Sequence, residues 1–352
     1  MTISEELDAL LANLPNINPD KKYWLIRTQS GSLYNIFYKN KIVAIEHNLI
    51  SYNKISEYQK SAEQNIKSLY SLIKDEVRRS LIKKNPDVEH SERDVSLKTN
   101  QITKFVFEIK KGDVVIIPSV NSDFISFGEV TENHIAALTE KELQDSDYVF
   151  DLARKVKWQK EIPRSKLDLN LYKLFTTHQT ISNVTWYSES IERTLNDLFV
   201  LKDSAHIILE VNRQGSIPAK DLFGIGYDLL QMIDDFAIFS DLEIDSSDLD
   251  VQINLNSPGL IDFKSKIKRT TVIMGLILLV AGGGYEDKSG HSFKTEGLPG
   301  IIKTISSFLN DQNDREMKKE LFNKYKDSLH ITNPEDLNKA LKQFSDNKDL
   351  PK

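Results

Sequence analysis

The sequence predicts an α+β chain, with a small, strongly curved β-barrel or sheet wrapped by helices in front and a helix-rich α+β body behind. Three observations predict it. Short β-branched runs bounded by turn residues mark the front of the chain, at 23–28 (YWLIRT), 41–46 (KIVAIE), 114–119 (VVIIPS) and 124–131 (FISFGEVT). Between them apolar residues recur at helical period, as at Ile66, Leu69, Ile73 and Val77. After Pro163 the pattern turns mainly helical and ends in a tail of helices over 297–344, broken at Thr332-Asn333-Pro334.

Each element follows from its residues. Residues 1–20 read as an amphipathic helix on Leu7, Leu10, Leu11 and Leu14, stopped by Pro15 and Pro19. The strands at 23–28 and 41–46 are separated by a gap that holds Ser30 and Gly31, good turn residues. A helix is expected over 58–82, a charged loop over 85–100 and a short helix over 102–109. Lys111-Gly112-Asp113 then leads into a hairpin of the 114–119 and 124–131 runs, and a further strand lies at 148–158. Behind Pro163 come helical runs over 168–184, a helix over 188–201 and a strand at 206–211. A helix over 219–239 follows, with Ser216 as its cap, and then a strand at 251–255 closed by the Asn256-Ser257-Pro258-Gly259 turn. The domains expected are an N-terminal helix (1–20), a sensor module (21–167), an α+β domain (168–262) and an effector or oligomerisation segment (263–352).

Composition narrows the function classes. Hydrophobic residues at 39% and charged residues at 28% describe a chain with an ordinary core. The absence of cysteine excludes disulfides, thiolate metal sites and a cysteine nucleophile. The acidic start MTISEELDALLANL does not read as a secretory signal, so a cytoplasmic location is expected. Seven histidines without ligand spacing give no zinc motif, and no GxxxxGK[ST], HExxH or GxSxG motif is present. The net charge of −6 is uneven: residues 21–165 carry 24 basic against 20 acidic groups, about +4, and the rest about −10. A mildly positive module on an acidic body suits an anionic ligand, although an excess of four is also what a random surface gives.

The segments YWLIRTQSG, IVAIEHNLI, FEIKKGDVVIIPS, FISFGEVTE and ARKVKWQKEIPRSKL, in that order, resemble the PUA-like superfamily. The nearest resemblance is to the EVE-like domains placed before Mrr-type restriction and other bacterial defence modules, over about residues 21–167. The resemblance implies a pocket that holds an extruded base or a nucleotide between aromatic and polar groups. Carried over by position, it implies ligand-binding roles for Trp24, Ser30, Gly31, His47, Asn48, Ser119 and Trp158. Trp24 or Trp158 would be the stacking platform, Gly31 would allow close backbone approach, and Ser30 and Ser119 would supply hydrogen bonds. Relatives often place a tryptophan where this chain has His47, which loosens the tie to a methylated base. Trp24 alternates with Leu25 on a strand, and for it the core reading outweighs the ligand one.

The body offers three leads. Asp250 at a strand start, followed by Asp262-Phe263-Lys264, is the layout in which nucleases hold Mg²⁺ and activate water; charged residues at this density also produce such triplets by chance. The apolar run 270–284 (TTVIMGLILLVAGGG), preceded by Lys264, Lys266, Lys268 and Arg269, is short for a membrane span and reads as buried core or an oligomer interface, with membrane insertion at 272–281 as the alternative. Glu316, Lys319, Glu320 and Lys324 form a solvated helix face with favourable i,i+4 pairing. The expected function is an antiviral-defence-type sensor and effector that binds DNA or a nucleotide in its front module and forms a homo-oligomer. No cofactor is expected, except Mg²⁺ under the alternative of a modification-dependent nuclease using Asp250, Asp262 and Lys264.

Overall fold

The computed structural model describes residues 2–45, 47–61, 65–139, 142–143, 148–176, 179–254, 259–282, 300–311 and 313–348. It is a mixed α+β structure of two compact units, Asp20–Ile191 and Met1–Pro19 with Glu192–Lys352. The first helix therefore joins the body and not the front. Residues 168–191, expected in the body, belong to the front unit, and the segments 168–262 and 263–352 do not separate from each other. The reason is strand pairing, which ties residues far apart in sequence.

In the body, α1 (Ile3–Ala12) opens with a capping box in which Thr2 and Glu5 exchange bonds. Leu7 and Leu10 on this helix, with Leu14 beyond it, enter the core. β1 (Asn16–Ile17) then adds to the edge of a sheet ordered β1-β9-β10-β12-β11, built from β9 (Leu198–Leu201), β10 (Ser204–Val211), β11 (Asp250–Asn254) and β12 (Gly259–Ser265). Leu198–Leu201, expected to extend the helix at 188–201, is thus a strand: its LFVL run pairs antiparallel with β10. The helix there, α6 (Ser188–Leu195), stops before it. One face of the sheet, with Ala205, Ile207, Leu209, Ile261 and Phe263, packs into a core with α7 (Ala219–Ser240) and α8 (Lys268–Ala281). α7 starts behind Pro218 and not Ser216. The Asn256-Ser257-Pro258 part of the expected turn and the glycines at 283–284 lie outside the described residues.

The apolar run is α8, and eleven of its residues are buried. It has no polar face because α1, α7, β10 and α9 (Gly300–Asn310) surround it. Core is therefore the reading the structure gives 272–281, and among the described residues no helix is long and apolar enough to cross a membrane. α10 (Asn313–Leu329) and α11 (Glu335–Lys348) complete the body.

The front unit holds a curled, half-barrel sheet of seven strands. They are β2 (Tyr23–Ile26), β3 (Ile42–Ile45), β4 (Val114–Pro118), β5 (Phe124–Val130), β6 (Ala136–Leu138), β7 (Phe150–Pro163) and β8 (Ile181–Asn183). The order is β3-β7-β5-β4-β2-β8, with β6 on β7. β4 and β5 form the expected hairpin, and β2 runs parallel to β4. β7 bends as it crosses from β3 to β5, with a bulge opposite Phe127 and Gly128. Helices α2 (Tyr34–Asn40), α3 (Tyr52–Ser61), α4 (Ile66–Lys84) and α5 (Glu92–Thr103) accompany it. The stretch expected as a charged loop holds α5, whose N-cap Ser91 accepts from Asp94 N–H and whose Val95, Thr99 and Ile102 are buried. α5 ends in a π-helical turn, and the buried Arg154 guanidinium donates to the Phe105 and Val106 carbonyls there at 2.9 and 2.8 Å. Burial lowers the Arg154 pKa to about 10.

Candidate functional site

Two loops of the front unit meet to form a polar cleft. The first joins β2 to α2, and the second joins β4 to β5. Thr28 Oγ1 donates to the Pro118 carbonyl at 2.6 Å, tying the first loop to the end of β4. Within the loops, Gly31 and Leu33 N–H donate to the Thr28 carbonyl, and Ser119 Oγ accepts from Phe124 N–H at 2.8 Å. Gln29, Ser30 and Gly31 on one side and Asn121 and Ser122 on the other have positive φ, between 49° and 99°. Side chains other than glycine resist that region, so the loop shapes are held against a local cost. Gly31 is indispensable to the meeting of the loops. A Cβ on it would lie 2.3 Å from the backbone N and Cα of Val120.

The cleft has a volume of about 290 Å³ and is lined by Arg27, Thr28, Ser30, Ser119, Asn121 and Ser122, among others. Gly31 and Ser119 also line an adjoining lobe of about 360 Å³, which adds Tyr34, Asp123, Phe124 and Glu161. Arg27 is anchored by donation to the Phe175 carbonyl at 2.7 Å. In the lobe, Tyr34 donates to Glu161 and exchanges a 2.6 Å bond with Ser126. Burial, and then the bond to Glu161, hold the phenol well above its ordinary pKa, so Tyr34 stays neutral and protonated. Phe124 is 48% exposed and offers an open aromatic surface at this lobe. The site can therefore supply hydroxyl and amide hydrogen bonds, one cation, two carboxylates (Asp123 and Glu161) and one aromatic face to a molecule of nucleobase size.

Three of the seven expected ligand-binding residues, Ser30, Gly31 and Ser119, line this cleft. The other four do not. Trp24 is fully buried in the core, with its Nε1 donating to Asp113 Oδ2 at 2.9 Å. A ring without exposed surface has no face to present, so the stacking role expected of Trp24 is corrected to a core role. His47 faces Gln101, with Nε2 3.0 Å from Oε1, and burial first, then nearby Lys98, lowers its pKa. Asn48 donates to the Val149 carbonyl and accepts from Asp151 N–H, pinning the start of β7. Trp158 stacks on Tyr38 and lines a separate groove of about 770 Å³. Sequence reading missed Arg27, Asn121, Ser122, Phe124 and Tyr34; the SVNSD stretch between two strands was the available turn signal.

In the body, strand register puts Asp250 opposite Lys264 and Gln252 opposite Asp262, so the expected nuclease residues share one sheet face. Asp250 is exposed there, but Asp262 is 1% exposed. Both Asp262 oxygens lie 3.1–3.2 Å from His206 Nδ1, and Arg193 donates to Oδ2 at 3.4 Å and to Gln252. The His206 ring in turn lies flat on Phe199, with centroids 4.8 Å apart. Asp262 thus anchors a buried histidine and arginine, a role the acid-x-lysine spacing did not reveal.

Residues 22–185, 164 of the 352, match the model of a family described as a domain of unknown function (DUF8426). The matched stretch runs nearly the length of the front unit, from β2 through β8. No curated protein and no solved structure matches the chain.

Proposed function

We propose that the front unit is a PUA-like sensor that holds a base or nucleotide in the two-loop cleft, and that the body transmits or executes a defence-type response. One observation carries this reading. Ser30 and Gly31 on one side and Ser119 on the other, almost ninety residues apart in sequence, line the same polar cleft. The strained backbone around it supports a binding role, because such strain persists where surrounding structure maintains it for function. Arg27 gives the cleft one cation for an anionic group of the ligand. Stacking on Phe124 would add about 1–3 kcal/mol per base.

Isothermal titration of the full chain tests it, using short DNA with normal or modified bases, then free and cyclic nucleotides. Ser30→Gly and Ser122→Gly are informative variants. Both positions have positive φ, which glycine adopts at no cost, so the substitutions remove a hydroxyl without straining the fold. Loss of one hydrogen bond of about 1–2 kcal/mol predicts a 5- to 30-fold weaker complex. Binding of none of these ligands, or unchanged affinity in both variants, refutes the assignment.

A further inference from the structure

Beside the cleft lies the groove of about 770 Å³ that the reading above leaves without a role. Three aromatic rings connect the two places. Tyr34, which lines the lobe of the cleft, stacks on Tyr38 one helical turn later, with centroids 5.9 Å apart and planes 13° apart. Tyr38 stacks in turn on Trp158, at 5.7 Å and 20°. Tyr38 and Trp158 both line the groove. The indole is fixed there: its Nε1 donates to the Tyr38 carbonyl at 3.1 Å, and it covers Gly128, where a Cβ would lie 2.5 Å from the ring. Tyr38 remains 36% exposed, so the row keeps an accessible aromatic edge.

The groove is also cationic. Lys41, Lys155 and Lys157 line it, with the buried Arg154, against the carboxylates of Glu132 and Glu142. Lys155 pairs with Glu132 at 3.5 Å, whereas Lys41 and Lys157 have no ion pair among the described residues. β3 pairs with β7 from Leu152 to Lys155, Val156 N–H adds a bond to the Lys41 carbonyl, and among the described residues no further strand pairs with that edge of β7 beside the aromatic row. Lysines along an open channel beside an exposed aromatic edge suit the phosphates and bases of an unpaired strand. A duplex keeps its base faces stacked inside and exposes only base edges in its grooves.

We propose that the Tyr38–Trp158 groove is a binding path for single-stranded nucleic acid, carrying the strand that flanks a base seated in the cleft. The proposal rests on the cleft reading for the base and on the groove for the strand, and it makes the ligand a polymer and not a free nucleotide. Sequence reading left those two alternatives open.

The test is fluorescence anisotropy of the full chain with labelled oligothymidylate and oligouridylate of about 12 nucleotides. The variant is Lys41→Asn with Lys155→Gln and Lys157→Gln. Asn suits the positive φ of 54° at Lys41, and the other two changes are on exposed strand positions, so the fold is preserved. Neutralising three phosphates predicts a log affinity against log salt slope of about −2 for the native chain between roughly 50 and 200 mM. The variant is expected to lose the slope and to bind at least about tenfold more weakly at the lower salt, with mononucleotide binding unchanged. Unchanged oligonucleotide affinity in the variant overturns the groove proposal, as it would if the lysines serve only to keep the β7 edge unpaired. If mononucleotides still bind in that case, the cleft reading stands alone. Lysine-dependent oligonucleotide binding that Ser30→Gly does not weaken supports the groove and overturns the cleft. Absence of both kinds of binding overturns both.

Discussion

Gly31→Ala is the sharpest probe of the cleft, because Gly112→Ala supplies its control within the same unit. Both glycines have positive φ, +99° and +90°, in which an L-residue costs about 1–2 kcal/mol. They differ in surroundings. Nothing lies within 4 Å of a Cβ on Gly112, whereas one on Gly31 would sit 2.3 Å from Val120 backbone atoms. The loops would have to part by about 1 Å to reach ordinary contact, and overpacking of this kind costs about 1–3 kcal/mol more. Gly31→Ala should therefore destabilise the front unit by about 2–5 kcal/mol and Gly112→Ala by about 1–2 kcal/mol. All three tryptophans, Trp24, Trp158 and Trp186, fall within Asp20–Ile191, so fluorescence in a urea titration reports that unit. The excess should lower the urea midpoint of Gly31→Ala by about 1 M relative to Gly112→Ala. Equal midpoints would refute the argument that glycine is needed for the loops to meet.

Two predictions concern the body. Asp262→Ala should cost about 3–5 kcal/mol, because it removes the buried carboxylate that both His206 and Arg193 contact; thermal melting by far-ultraviolet circular dichroism measures this, and an unchanged melt would show that the network holds nothing. Loss of cleavage in that variant would consequently say little about chemistry, and the exposed Asp250 is the fold-neutral position at which to test the Mg²⁺ nuclease alternative. The Asp197 carboxyl, pushed up to about 7 by burial first and by the neighbouring Asp336, binds its proton more tightly folded than unfolded. Stability of the body should then fall as pH rises from about 4 to about 7 and level off above, since only the folded state holds that proton in the interval. Asp197→Asn should flatten the curve in a series of denaturant melts; a native curve that is flat or rising over this window would contradict the assignment.

β2, β3, β4 and β5 of the front unit were legible because each is a short apolar run rich in β-branched or aromatic residues between turn residues, whereas β6 was not expected and β8 lies in a stretch that reads as helical. Elements set by long-range pairing were not. Leu198–Leu201 looks helical when read with the residues before it, and only β10 beside it makes it a strand. α5 was hidden by its charge: Glu92, Arg93, Asp94 and Lys98 are the solvent side of a helix whose buried stripe is narrow. For the site, Gly31 and Ser119 were legible as turn and strand-end residues, but their convergence is a product of β2 lying parallel to β4. Trp24 misled because an aromatic residue on a strand reads the same whether its ring faces a ligand or a buried carboxylate such as Asp113.

Positive φ separates the two uses of strained backbone in this chain. Lys41 and Asp241 adopt it at the C-caps of α2 and α7, where the turn satisfies carbonyls that the helix leaves open. Gln29, Ser30, Gly31, Asn121 and Ser122 terminate no α-helix; they shape two facing loops. Four of the five line one cleft, an unnecessary cost for connecting β2 to α2 and β4 to β5, which shorter or regular turns accomplish. The Thr28 to Pro118 hydrogen bond across the loops and the Phe124 to Ser119 bond within the second one hold that geometry instead of relaxing it. A cleft whose loops are already held by such bonds spends less ordering entropy when a ligand enters, which is the advantage of a preformed binding site.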